Sequence, residues 1–186
     1  MKNIFILSGP SGAGEDSIID GLEKILPLER VVTTTSRAMR PGEKNGHPYY
    51  FIDKTSFEKK IAAGDFVEYA RQYNDHLYGV TKKELDRVAA TGKRGIWKIE
   101  YQGVATAKRL FPGIIAIFIN APLAILEERI RRRDNLSETY IRERMRYTKD
   151  WLTHTHLYDY IIENEQGKLE EAIKNVAAII DRHYEK

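Results

Sequence analysis

Asn3-Ile4-Phe5-Ile6-Leu7-Ser8-Gly9-Pro10-Ser11-Gly12-Ala13-Gly14-Glu15-Asp16-Ser17 carries an apolar run into a glycine-rich turn and then into residues suited to a first helical turn. A continuous apolar run from Asn3 to Ser8 reads as a strand covered on both faces. Gly9, Gly12 and Gly14 let the backbone fold tightly, so that several N–H groups converge on one anion at a helix N-terminus. Strand, turn and helix in that order form the context that a phosphate-cradling loop requires. Ser11, Gly12, Ala13, Gly14, Asp16 and Ser17 are therefore the candidate residues for holding a donor phosphate.

The same alternation continues downstream. Gly95 to Glu100, Gly113 to Asn120 and Tyr160 to Glu163 read as buried strands. Between and around them lie helical patterns at Glu15 to Leu26, Tyr101 to Leu110, Pro122 to Arg133, Ser137 to Trp151 and Lys168 to Tyr184. Such alternation predicts an α/β fold, a parallel sheet with helices on both faces. Val31 to Val80 breaks the rhythm. It is rich in Thr, Tyr and Gly, holds short strand candidates such as Phe66 to Tyr69, and reads as a small inserted lobe. A second departure, Arg129 to Trp151, is a strongly basic helical pair joined by Asp134-Asn135-Leu136. The expected organisation is one domain: a core of residues 1–30, 81–125 and 152–186, a lobe of 31–80 and a lid of 126–151.

Composition narrows the function classes. The chain has 186 residues, 42% hydrophobic and 31% charged, which suits an ordinary soluble domain with a real core. With no cysteine, disulfides and thiolate metal sites are excluded. Ile4 to Leu7 is too short for a secretion signal, and Asn120 and Pro122 interrupt the longest apolar run, Gly113 to Leu126. A cytoplasmic location without membrane contact is the expectation. A net charge of +3 suits a small polyanionic ligand, and no basic face interleaved with aromatics points to nucleic acid.

The loop departs from the phosphate-binding pattern at one position. The pattern has Lys and then Ser or Thr after its last glycine, where this chain has Glu15, Asp16 and Ser17. Acids in a first turn complement the helix dipole. They repel a triphosphate, however: like charges near 4 Å cost roughly 4 kcal/mol at an effective dielectric of about 20. Either the donor nucleotide binds weakly, or a cation and another basic residue offset the acids.

Thr33-Thr34-Thr35-Ser36-Arg37-Ala38-Met39-Arg40-Pro41-Gly42-Glu43, then Asn45-Gly46 and Tyr49-Tyr50-Phe51, closely resembles the GMP-binding signature of guanylate kinases. Gly64 to Ala70, Tyr78-Gly79, the strand Ile96 to Glu100 with Gln102-Gly103, the lid segment and Tyr158-Asp159-Tyr160 through Asn164 extend the resemblance over nearly the whole chain. It implies a P-loop NTPase core, an inserted GMP-binding lobe and a mobile helical lid. It also implies transfer of a phosphoryl group from ATP to GMP or dGMP, giving ADP and GDP or dGDP, with Mg2+ accompanying ATP.

The implied roles make chemical sense. Arg37 and Arg40, three apart in a glycine-bounded loop, can fork onto one phosphate, and Tyr49 and Tyr78 can each donate a hydroxyl to it. Glu68 can accept from the N1–H and exocyclic amine of guanine, an edge adenine does not match. By resemblance Thr33 contacts the base, Glu100 stands where an aspartate helps read the amine, and Asn164 lies beside the donor adenine or caps the turn before the last helix. Val80 replaces a Ser or Thr whose hydroxyl helps recognise the guanine oxygen. Arg129, Arg133 and Arg144 match lid positions that reach the transferring phosphates, with Arg133 and Arg144 the catalytic candidates. Most other lid arginines read as solvated or paired, for example Arg142 with Glu138.

Lys98 stands at the position of a magnesium-associated aspartate, so the resemblance implies an exchange of sign between Lys98 and Glu15. The two are expected within about 4 Å of each other. Either Lys98 reaches the β- and γ-phosphates while Glu15, Asp16 or Ser17 serves magnesium, or the pair locks the site. His154 and His156 lack an evident carboxylate partner for a metal, and Trp151, Tyr158 and Tyr160 read as core. The alternative to a kinase is an impaired GMP-binding or protein-interaction module of the same fold. A ribose-phosphate kinase is opposed by Glu68 and the Arg37 to Phe51 segment, because a ribose phosphate has no base to read.

Overall fold

The computed structural model describes residues 3–71, 75–133 and 137–184. In chain order the elements are β1 (Ile4–Ser8), α1 (Glu15–Glu23), β2 (Leu28–Arg30), β3 (Thr33–Thr35), β4 (Lys44–Asn45), β5 (Pro48–Phe51), α2 (Lys54–Ala62), β6 (Phe66–Arg71) and β7 (Leu77–Thr81). There follow α3 (Lys82–Ala90), β8 (Arg94–Lys98), α4 (Tyr101–Leu110), β9 (Ile115–Asn120), α5 (Leu123–Arg133), α6 (Glu138–Leu152), a 3-10 turn at Thr155–Leu157, β10 (Tyr160–Glu163) and α7 (Leu169–His183).

The core sheet runs β10-β9-β1-β8-β2, with every pairing parallel. Strand β1 lies at its centre and is buried along its whole length. Because side chains alternate across a strand, Phe5 and Leu7 pack on one face with Ile18 and Leu22 of α1 and Val176 and Ile180 of α7. Ile4 and Ile6 pack on the other with Leu85 and Val88 of α3, Trp97 of β8, and Val104 and Ala107 of α4. Each such buried aliphatic side chain contributes roughly 1.5–3 kcal/mol. Two-sided burial is why these strands are uniformly apolar and were legible as strands. The carboxyl ends of β1 and β8 point to one rim of the sheet, where ligands of open α/β sheets bind.

A second sheet, β4-β5-β3-β7-β6, draws on residues 33–81 and mixes parallel and antiparallel pairs. Phe57 of α2 stacks on Phe66 of β6 with ring centroids 4.3 Å apart. Between Phe66 and Glu68 the β6–β7 register shifts by a bulge, a device that re-aims a side chain. The crossing from the first sheet to the second is gripped by Glu84 of α3, which is only 4% exposed. Glu84 accepts from the Val32 amide at 2.8 Å, from the Tyr50 hydroxyl at 3.3 Å and from Arg87, which also pairs with Glu29.

Within the lobe β3, β4, β5 and β7 were not singled out as strands, and β2, α2 and α3 were not anticipated at all. The last two carry local start signals. Asp53 accepts from the Ser56 amide at 2.8 Å, and Thr81 accepts from the Glu84 amide at 3.2 Å, as a Thr-x-x-Glu box would suggest. Among the basic helices, α5 and α6 meet over Ile130, Ile141 and Met145. Glu138 takes Arg131 of α5 as its ion-pair partner, at Nη2 to Oε2 3.0 Å, which corrects the expected pairing with Arg142. The joint Asp134-Asn135-Leu136 lies outside the described residues. Among the described residues no helix is long and apolar enough to cross a membrane.

Candidate active site

The glycine-rich loop sits at the carboxyl end of β1. Gly12 and Gly14 have φ of 89° and 91°, the left-handed region that a side chain would strain. Gly14, at the N-cap of α1, has no side chain to cap the helix, and the neighbouring Glu15 carboxyl accepts from the Gly9 amide of the same loop. The loop is braced from behind. Asn164, 3% exposed, donates its amide to the Ala13 carbonyl at 2.7 Å. Arg129 donates to the carbonyls of Gly12 at 3.2 Å and Asn164 at 2.9 Å. Both residues thus shape the loop. Ser8 joins the Tyr158 hydroxyl at 2.8 Å, and Trp151 donates to the same hydroxyl at 3.0 Å, which accounts for these aromatics as structural.

The charges at the loop arrange differently from the expected Glu15–Lys98 pair. Lys98 at the end of β8 bonds Asp16 Oδ1 at 2.6 Å, and Glu15 makes no ion pair within 4.0 Å among the described residues. Two consecutive residues of one helical turn diverge by about 100°, and it is the exposed Asp16 carboxylate that meets the ammonium. Glu15 still feels Lys98. Burial pushes its carboxyl up to about 8, Lys98 opposes the rise, and Asp16 and Glu100 add to it. Desolvation alone would lower the Lys98 ammonium, but the carboxylates of Glu15 and Asp16 outweigh it and hold it raised. Ser17 is exposed beside them and Ser11 half-buried.

Across the rim stand the residues of the second sheet. Arg37, 7% exposed, pairs bidentately with Glu43 at 2.7 and 3.0 Å and lies over the rings of Tyr49 and Phe51 at 5.5 and 5.3 Å. The Tyr78 hydroxyl is also hydrogen-bonded to Arg37, and the rings of Tyr49 and Tyr78 meet edge-on at 5.8 Å. Arg40 is exposed, and its backbone N–H donates to Glu43 at 2.7 Å. Burial raises the Tyr49 phenol, and Lys98 acts against that rise. Lys98 therefore lies within electrostatic reach of both the glycine loop and the tyrosine pair. Thr33 begins β3, half-buried and in register with Tyr49.

Glu68 follows the bulge in β6. Its carboxyl group accepts from the Val80 amide and lies against Gly103, where an added Cβ would meet Oε2 at 3.2 Å. Burial, with Glu100 adding, pushes it up to about 7. Val80 is fully buried, and it contributes backbone where the resemblance expected a hydroxyl. Glu100, the residue before α4, accepts from the Tyr147 hydroxyl at 2.7 Å. Beside Glu100 opens a cavity of about 600 Å3, lined also by Gln102, Tyr140, Arg144, Tyr147 and Ala70. Arg144 there bonds the Tyr140 hydroxyl at 3.0 Å. The side chain of Arg133, at the end of α5, lies outside the described residues. His154 stacks on Tyr101 at 4.2 Å.

Tyr140, Tyr147 and Glu43 were not picked out as site residues in the sequence. Tyr140, Arg144, Tyr147 and Trp151 do fall three or four residues apart, one stripe of a helix, and that spacing was the available signal.

The guanylate kinase family profile matches residues 1–183. The chain belongs to the guanylate kinase family. A guanylate kinase of Methylococcus capsulatus is 38% identical over 179 residues, covering 95% of this chain and 86% of that one. One from Sodalis glossinidius is 39% identical over 166 residues, covering 87% and 80%. Among solved structures, a guanylate kinase from Anaplasma phagocytophilum superposes with a TM-score of 0.76 at 27% identity, covering 98% of this chain and 86% of that one. As a member of this family the protein has the α/β core described above, and its two groups of candidate residues sit on opposite sides of one rim.

Proposed function

We propose that the protein is a nucleoside monophosphate kinase that transfers the γ-phosphoryl group of ATP to GMP or dGMP through an atypical donor site. The observation that carries this reading is the placement of two carboxyl groups at the start of α4: Glu68 of the lobe lies with Oε2 against Gly103, and Glu100 stands at the N-cap of that helix and lines the cleft. Two acceptor groups so placed match the N1–H and 2-amino donors of guanine. Arg37, Arg40, Tyr49 and Tyr78 would hold the monophosphate, with Thr33 near the base. Arg144, and Arg133 on the same lid, would meet the transferring group.

The donor phosphates would lie in the loop from Ser11 to Gly14. A phosphate oxygen of GMP attacks the γ-phosphorus, the bond to the β-bridging oxygen breaks, and ADP leaves. Lys98, between the loop and Tyr49, would take the place of the loop lysine as the cation on the transferring phosphates. Among the described residues no three acids or histidines converge as a self-sufficient metal site. Asp16 and Ser17 fit magnesium as it usually binds in kinases, through one or two protein oxygens plus substrate phosphates, and the ion would offset charge on those phosphates. Closure of the lobe (31–80) and lid (126–151) would exclude water.

A second reading is favoured by the acids in the loop: Glu15 is half-buried and Asp16 already holds Lys98, so GMP could bind without efficient turnover. One assay separates the two. Pure protein with magnesium, ATP and each nucleoside monophosphate is followed for ADP, while calorimetry measures GMP binding. ADP formed with GMP or dGMP above the other monophosphates supports the kinase. Binding without ADP supports the impaired module, and absence of both removes the GMP reading.

A further inference from the structure

We propose that Tyr147 is a positioning residue for base selection: its hydroxyl, delivered by helix α6, orients Glu100 toward the exocyclic 2-amino group of the purine. The inference rests on the GMP reading and adds a residue to it.

The hydroxyl of Tyr147 is 2.7 Å from Glu100 Oε2 and 3.3 Å from Gln102 Oε1. A phenol has one proton, and it goes to the nearer and charged acceptor. Burial and the charge of Glu100 both drive the Tyr147 phenol upward, so it stays a donor throughout the working pH range.

The ring that carries this hydroxyl is held on two sides. It meets Trp151 edge-on at 5.7 Å and Tyr101 at 6.0 Å. Tyr101 is fixed in turn by its own hydroxyl on Asp150 at 2.6 Å. Tyr101 belongs to α4, whereas Tyr147, Asp150 and Trp151 belong to α6. The hydrogen bond on Glu100 therefore spans two elements and is preorganised by packing, as a selecting group must be. Glu100 itself has no helix-capping bond to hold its side chain, although it stands at the N-cap of α4. Tyr147 supplies a restraint from outside the helix.

Removing the hydroxyl while keeping the ring tests the proposal. Binding of GMP and of IMP, which has the N1–H but lacks the 2-amino group, is measured by calorimetry for wild type, Tyr147→Phe, Glu100→Gln and the double variant. Tyr147→Phe is expected to weaken GMP binding about tenfold, the usual effect of losing a hydrogen bond to a charged group, and to change IMP binding by less than about twofold. Glu100→Gln should show the same selective loss, and the double variant should lose no more than the worse single one, because both act through one interaction. Equal losses for GMP and IMP, no loss in either, or losses that multiply in the double variant would overturn the role of Tyr147. If wild type binds neither nucleotide, the GMP reading itself fails, and this inference falls with it.

Discussion

The lobe side of the rim and the glycine-loop side handle charge in opposite ways. On the lobe, Arg37 is buried, doubly bonded to Glu43 and stacked over two rings, so its position is set mostly by neighbours within 14 residues in the chain, with Tyr78 of β7 joining them. At the loop, whose backbone is braced by Asn164 and Arg129, the charge is balanced by Lys98 and Asp16, which lie 82 residues apart and are both partly exposed. One side is built before any ligand arrives, whereas the other has an adjustable cation poised between carboxylates. In a kinase this contrast suits the task, since the acceptor must be selected while the donor phosphates need charge that can move with them.

The sharpest way to break that comparison is at Lys98. Lys98→Ala should lower ATP-dependent phosphorylation of GMP by about 100-fold or more, comparable to removing a transition-state donor, and leave GMP affinity nearly unchanged. Steady-state kinetics with calorimetry reads both. A turnover left intact would remove Lys98 as the cation on the transferring phosphates.

A smaller contrast is expected within the lobe. Arg37→Ala strands Glu43 and empties the space over Tyr49 and Phe51, and should lower the melting temperature by about 5 °C. Arg40→Ala, an exposed residue, should shift melting by less than about 1 °C while weakening GMP far more than guanosine. If thermal melts show equal shifts for the two, the lobe is not prebuilt around Arg37.

The gentlest probe is pH. Glu68 is pushed up to about 7, and in the proposed site its ionised form is the one that would accept two donors from guanine. Protonated, it can donate to N1 of adenine. The preference for GMP over AMP should therefore rise about tenfold between pH 6 and pH 8, with the shared phosphate titration cancelling in the ratio. Because the carboxyl is raised in the folded state, it should also favour folding most at low pH and lose that contribution as pH rises through about 7. Affinity ratios that stay flat across this range, in wild type as in Glu68→Gln, would separate Glu68 from base reading.

The core was legible because β1, β8 and β9 are covered on both faces and so carry uninterrupted apolar runs. The candidate acceptor residues could be proposed because Arg37 to Phe51 is nearly contiguous in the chain. Helices α2 and α3 were missed because their apolar content is thin: Phe57 is the one buried residue of α2, and α3 buries only Glu84, Leu85 and Val88. The partner of Lys98 was misassigned for a different reason. Strand parity gives the face of Lys98, but choosing between adjacent acids on a helix depends on the angle at which α1 leaves the loop, which no local pattern encodes.

Glu84 has a consequence for how the lobe can travel. A buried carboxylate that grips the Val32 amide, the Tyr50 hydroxyl and Arg87 acts as a pivot pin at the joint. Sliding the lobe along the core would strip that charge of several donors at once, a heavy cost in a dry place. Rotation about the pin keeps most of them. A nucleotide held at Thr33 or Tyr49, as proposed, would then swing the lobe through an arc about that axis.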